Sequence, residues 1–117
     1  MRMRKLDLKI ERIAREIAKI AGPEMRYALV KIIMSSMGAK LKTIAERSGV
    51  AYSTMRNAFS QGRMGEETAI RILNYLIRTN TFAVRRALKM LIKEFEERMN
   101  EMDKMLQEVE KEIIEGK

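Results

Sequence analysis

Apolar positions recur at helical spacing from one end of this chain to the other, and alternating strand patterns are absent. Residues 3–20 place Met3, Leu6, Ile10, Ile13, Ile17 and Ile20 three and four apart, which is one stripe on an amphipathic helix, close to a heptad pattern. Its polar faces mix both signs and lack Trp and Phe, which favours packing against a protein over lying on a membrane surface. Gly22-Pro23 ends the stripe, and Pro23 suits the first turn of a new helix, where its missing N–H costs no useful bond. Residues 24–37 are apolar around most of the circumference (Met25, Tyr27, Leu29, Val30, Ile33 and Met34 among them), which predicts the most buried helix. Two short helices are expected next, at about 39–47 and 52–60. Leu41, Ile44 and Ala45 share a face of the first; Met55, Ala58 and Phe59 share a face of the second. A loop over residues 62–65 leads into a helix at about 66–78, whose first turn holds Glu66 and Glu67 at the positive end of its dipole. Ala69, Ile72, Leu73, Leu76 and Ile77 recur along it, and Thr79-Asn80-Thr81 predicts a break with Asn80 or Thr81 as N-cap.

The last segment has the longest regular pattern. Leu88, Ile92, Phe95, Met99, Met102, Leu106, Val109 and Ile113 alternate by four and three, so every core position of nearly four heptads is apolar while most flanking positions are charged. So narrow a stripe matches a coiled-coil seam and predicts self-association through these eight residues. Arg98 and Asp103, five residues apart, can pair across a parallel interface. Folding back onto the N-terminal stripe, which has the same period, is the competing arrangement. Met and Phe in the seam leave strand number and direction open.

The two short helices carry the candidate chemistry. Ser48-Gly49-Val50 forms the turn between them, with Gly49 where a helix end goes left-handed at no Cβ cost. Ala45 suits a close helix crossing, Val50 plugs the turn into the core, and Ser53 or its immediate predecessors can cap the second helix. Tyr52, Ser53, Thr54, Arg56 and Asn57 then point outward. Such a face can read base edges in a major groove, with Arg56 suited to guanine O6/N7 and Asn57 to adenine N6/N7. Lys40, Lys42 and Arg63 flank it and are placed to reach phosphates. An ordinary helical hairpin with a polar outer face fits the same spacing.

Residues 44–50, IAERSGV, followed by residues 53–62, STMRNAFSQG, resemble the helix-turn-helix of the lambda-repressor and Cro group of DNA-binding proteins. Residues 62–73, GRMGEETAIRIL, are similar to the piece after the motif in the lac-repressor group. The likeness covers roughly residues 38–78. It implies a compact all-α domain in which Tyr52, Ser53 and Thr54, at the start of the recognition helix, meet base edges or flanking phosphates. The chain departs from the group in lacking Gln at the first positions of both motif helices, where Leu41 and Tyr52 stand.

Charge supports a polyanion partner. The 117 residues carry 24 Lys+Arg against 16 Asp+Glu, a net +8. Residues 1–80 hold sixteen basic and seven acidic side chains, and residues 81–117 hold eight and nine. The positive field thus surrounds the motif, and DNA would repel the tail. Histidine and cysteine are both absent, as are a Gly-rich phosphate loop and a metal-ligand cluster, so an enzyme, a cofactor or a metal site is not expected. No apolar run suits a bilayer or a signal peptide. The reading is therefore an all-α protein in three parts: an amphipathic helix at 1–21, a helix-turn-helix domain at 22–80, and a self-associating heptad helix at 81–117. It is expected to act as a homodimeric, sequence-specific transcriptional regulator on double-stranded DNA, cytoplasmic and nucleoid-associated, with no membrane partner and no small-molecule substrate. The alternatives are a non-specific DNA-coating protein and a helical assembly protein with a relic motif.

Overall fold

The helical periodicities become six α-helices in the protein, a computed structural model that describes residues 4–116. They are α1 (Lys5–Ile20), α2 (Pro23–Met37), α3 (Leu41–Ser48), α4 (Tyr52–Gln61), α5 (Glu66–Thr79) and α6 (Thr81–Glu115), with no strand among the described residues. Among the described residues no helix is long and apolar enough to cross a membrane. The chain divides after Ala87 into two units, and α6 continues through the division.

The first unit is built around α5, which packs on α1, α2 and α3. Ala69, Ile70, Ile72, Leu73, Leu76 and Ile77 of α5 are all buried. This corrects the expectation for α2. Only Leu29, Val30, Ile33 and Met34 of α2 are buried, whereas Met25 is exposed and Tyr27 and Ile32 are half-buried. An apolar circumference makes burial favourable, but a helix is covered only where neighbours reach it, and α5 has neighbours on more sides.

The face that α1 buries also differs from the stripe. Ala14 and Ala18 are fully buried and Ile10 nearly so, while Ile17 is half-buried and Leu6, Ile13 and Ile20 are exposed. Ala14 and Ala18 lie one turn apart, so their small side chains let α1 approach α5 closely. Close backbone approach with many dispersion contacts outweighs seating every isoleucine. An ion pair joins the same two helices, from the Arg78 guanidinium to the Asp7 carboxylate, which also accepts the Arg4 backbone N–H at 3.2 Å. The Arg78 hydrogen bond, then that of Arg4, holds the Asp7 carboxyl below its ordinary value of 3.8. Met3, read into the stripe, lies outside the described residues.

Helix ends follow local chemistry. Asn80 caps α6, its Oδ1 accepting the Ala83 N–H at 3.1 Å, as the break at 79–81 predicts. Ala83, Val84 and Ala87 of this first part of α6 are buried. In the second unit, residues 88–116, Leu88 of the heptad seam and Leu91 beside it are half-buried, and the other seam residues are open. Ile92, Phe95, Met99, Met102, Leu106, Val109 and Ile113 are between 46% and 65% exposed.

Candidate nucleic-acid interface

Packing holds α3 and α4 at a fixed turn. Gly49 adopts φ 71°, ψ 30°, and its N–H donates to Glu46 O at 3.3 Å. The Val50 N–H reaches back to Ala45 O at 2.9 Å, so the two bonds together form a Schellman closure. Arg71 of α5 donates to Gly49 O at 3.0 Å, tying the turn to the central helix. Ile44 and Ala45 of α3 and Met55 and Ala58 of α4 are buried beneath, and Val50 is half-buried. The far end of α4 is also secured. Phe59 meets Tyr27 edge-on with centroids 5.2 Å apart, and the Met64 N–H donates to Pro23 O at 3.0 Å. Arg26 donates from Nε to Ala18 O and from a terminal nitrogen to Met64 O, joining three elements.

The side chains that the sequence suggests for base and phosphate contacts all lie in this first unit, on its surface. Tyr52, Ser53, Thr54, Arg56 and Asn57 are exposed on α4, and Lys40 and Lys42 are exposed at the start of α3. Three details modify the expected arrangement. Ser53 does not cap α4: the helix begins at Tyr52 after an extended Ala51, and no side chain bonds its first amides. The helix starts at Tyr52, as its period predicts, so Ser53 lies in the first turn as a surface residue. Arg56 lies one turn beyond Tyr52 and stacks on it, with the guanidinium carbon 5.8 Å from the ring centroid. Arg63 pairs loosely with Glu24 at 3.6 Å, both side chains being more than half exposed. A phosphate can displace such a pair, since exposed ion pairs contribute little.

The amino ends of α3 and α4 differ from those of their neighbours. Neither has an acid in its first turn, whereas α1 has Asp7, α2 has Glu24 and α5 has Glu66 and Glu67. Two helix ends with their partial positive charge uncompensated therefore accompany the exposed polar row of α4 and the lysines of α3.

A second basic feature, missed in the sequence, is a cleft of about 420 Å³ between α1, α3 and α5. Arg15, Arg47, Arg71 and Arg78 line it together with Glu11, Glu67 and the Ser48 end of α3. Its guanidiniums already have protein acceptors: Glu11 for Arg15, the Tyr75 hydroxyl for Arg47, Gly49 O for Arg71, and Asp7 with Asn74 for Arg78. Arg71 and Arg78 share α5, but Arg15 and Arg47 come from α1 and α3, so no local spacing announces the four as a group. Their arrangement serves the packing of α1 and of the turn on α5. Comparison with protein-family models, curated proteins and solved structures returns no match.

Proposed function

We propose that this protein is a sequence-specific, DNA-binding transcriptional regulator of the lambda-repressor-like helix-turn-helix kind, acting as a homodimer at the nucleoid. The observation that carries the reading is the exposed row Tyr52, Ser53, Thr54, Arg56 and Asn57 over buried Met55 and Ala58, accompanied by uncompensated amino ends on α3 and α4. Base reading needs a convex polar helix held rigidly from behind, and phosphate binding needs positive ends and amides free of acids. In this reading Arg56 and Asn57 meet base edges, and Tyr52, Ser53 and Thr54 meet bases or adjacent sugar. Lys40, Lys42 and Arg63 hold phosphates in register. A monomeric motif reads few base pairs, so the heptad seam of α6 supplies the second half-site.

The test is selection of bound duplexes from a random library at about 0.15 M salt, where weak surface electrostatics are screened. Enrichment of a two-fold symmetric sequence supports the proposal. Tight binding without enrichment favours a DNA-coating protein, a second reading suggested by the net charge of +8 and by Arg56 resting on Tyr52. Absence of binding would leave α6 assembly as the function.

A further inference from the structure

We infer that α6 pairs with α6 of a second copy in parallel and in register, with Arg98 against Asp103 as the charge pair that selects this direction. The inference rests on the homodimeric reading above and supplies what that reading leaves open. The seam from Ile92 to Ile113 is exposed along its whole length. It spans about 32 Å of helix at 1.5 Å per residue. That gives seven consecutive layers of Ile, Phe, Met, Leu and Val, enough for a stable coil of about three heptads or more.

Direction follows from the charges beside the seam. In a parallel pair, the residue preceding each a position faces the residue following the d position of the second copy, five places further on. Those juxtapositions are Leu91 with Glu96, Arg98 with Asp103, and Met105 with Glu110. One is attractive, it is made twice by symmetry, and none repels. An antiparallel pair at full overlap instead sets Glu96 near Asp103 of the other copy, twice, and Lys89 near Glu110, twice. Repulsion there offsets attraction.

Within one chain, Arg98 holds Glu94 at 2.9 Å and Asp103 accepts from Gln107 at 2.9 Å. Those contacts are at the surface, so exchanging them for an intermolecular pair costs little. Charge alone leaves the parallel register free to slip by a heptad, since Glu96 and Glu110 would also accept Arg98. A slip of one heptad leaves two seam layers unpaired at each end, and burial therefore selects full overlap. Parallel pairing also brings the two Ala87–Leu88 junctions to the same end of the coil.

Cysteine cross-linking without DNA tests the direction, because the natural chain has no cysteine to confuse the result. In the parallel pair, Leu106 faces Leu106 of the second copy. At full antiparallel overlap it faces Phe95, and the two 106 positions are about 16 Å apart along the axis, beyond disulfide reach. The full-length Leu106→Cys variant is expected to form a covalent dimer on mild oxidation. A mixture of Leu106→Cys and Phe95→Cys chains should give no 106–95 link. That mixed link overturns the inference, as does a monomer or a trimer of the unmodified chain in sedimentation equilibrium. Arg98→Glu should weaken the dimer roughly threefold to tenfold, and adding Asp103→Arg should recover most of the loss. No recovery removes the charge pair from the argument. A chain that cross-links at Leu106 but binds no duplex would refute DNA binding alone; one that binds duplex without associating would refute the pairing alone.

Discussion

Arg56 and Lys42 stand on adjacent helices and would act differently on a duplex. Arg56 lies on the outward face of α4, four residues beyond Tyr52, whereas Lys42 lies in the first turn of α3. Arg56→Ala is expected to cost about 1–3 kcal/mol on the preferred sequence and to relax selectivity at one base pair. Lys42→Ala should weaken every duplex alike and reduce the salt slope by about one. Competition binding across single-base variants at several salt concentrations separates the two; equal losses on all sequences for both would refute the division. Gly49 poses a purely conformational question, since no atom lies within 4 Å of where a Cβ would stand but φ is 71°. Gly49→Ala is therefore expected to destabilise the fold by about 1 kcal/mol through backbone strain alone, read as a lowered urea midpoint at unchanged slope. Gly49 and the Asn80 cap were legible in the sequence because a turn and a cap involve only a few neighbouring residues. Helix α4 starts at Tyr52 as its period predicts, but the Ser53 cap does not form: Ala51 holds the cap position and Ser53 already lies in the first turn.

At the scale of elements, the pairing of α1 with α5 is where packing and charge meet. Ala14 is fully buried on the face of α1 that meets the central helix. Ala14→Leu is expected to force the helices apart and destabilise by about 1–3 kcal/mol, with hydrogen exchange speeding up first in α1. The Asp7–Arg78 pair makes the same contact sensitive to acid. The Asp7 carboxyl is depressed from 3.8 in the folded chain, so the unfolded chain takes up its proton first as pH falls. The stabilisation is complete above that value and is lost as pH drops through the lower, folded value. Asp7→Asn should leave a chain whose stability changes less with pH below about 4, measured by denaturant midpoints in matched buffers. The period of α1 was visible in its isoleucines, yet the buried face was not. Period locates a stripe, while the partner's shape decides which edge of it is covered, and here two alanines fit where Ile13 and Ile20 do not.

For the whole molecule, the proposed DNA binding raises the question of how a small motif would achieve useful affinity. If α6 joins two copies, the second motif binds at a high effective concentration once the first is seated. Leu106→Lys places a charge in the middle of the seam and should leave the first unit folded, since Leu106 belongs to residues 88–117. Affinity for a two-half-site duplex is expected to fall on the order of a hundredfold, while affinity for a single half-site stays within about twofold. Sedimentation of the variant together with titrations on both duplexes checks this. Parallel loss on the two duplexes would mean that α6 serves DNA binding in some way other than pairing.

The sequence by itself determined the all-helical class, the order of the six helices, most of their ends to within a residue or two, and the heptad seam. All of these rest on interactions between residues a few places apart, so periodicity and caps report them directly. Tertiary structure decided that α5 rather than α2 is the centre, which edge of α1 is buried, and which arginines are engaged. Arg26, Arg71 and Arg78 look like surface charge in the sequence, yet they bond Ala18 O and Met64 O, Gly49 O, and Asp7. Those choices depend on which surfaces meet once every helix has competed for the same core, and no local pattern encodes that competition.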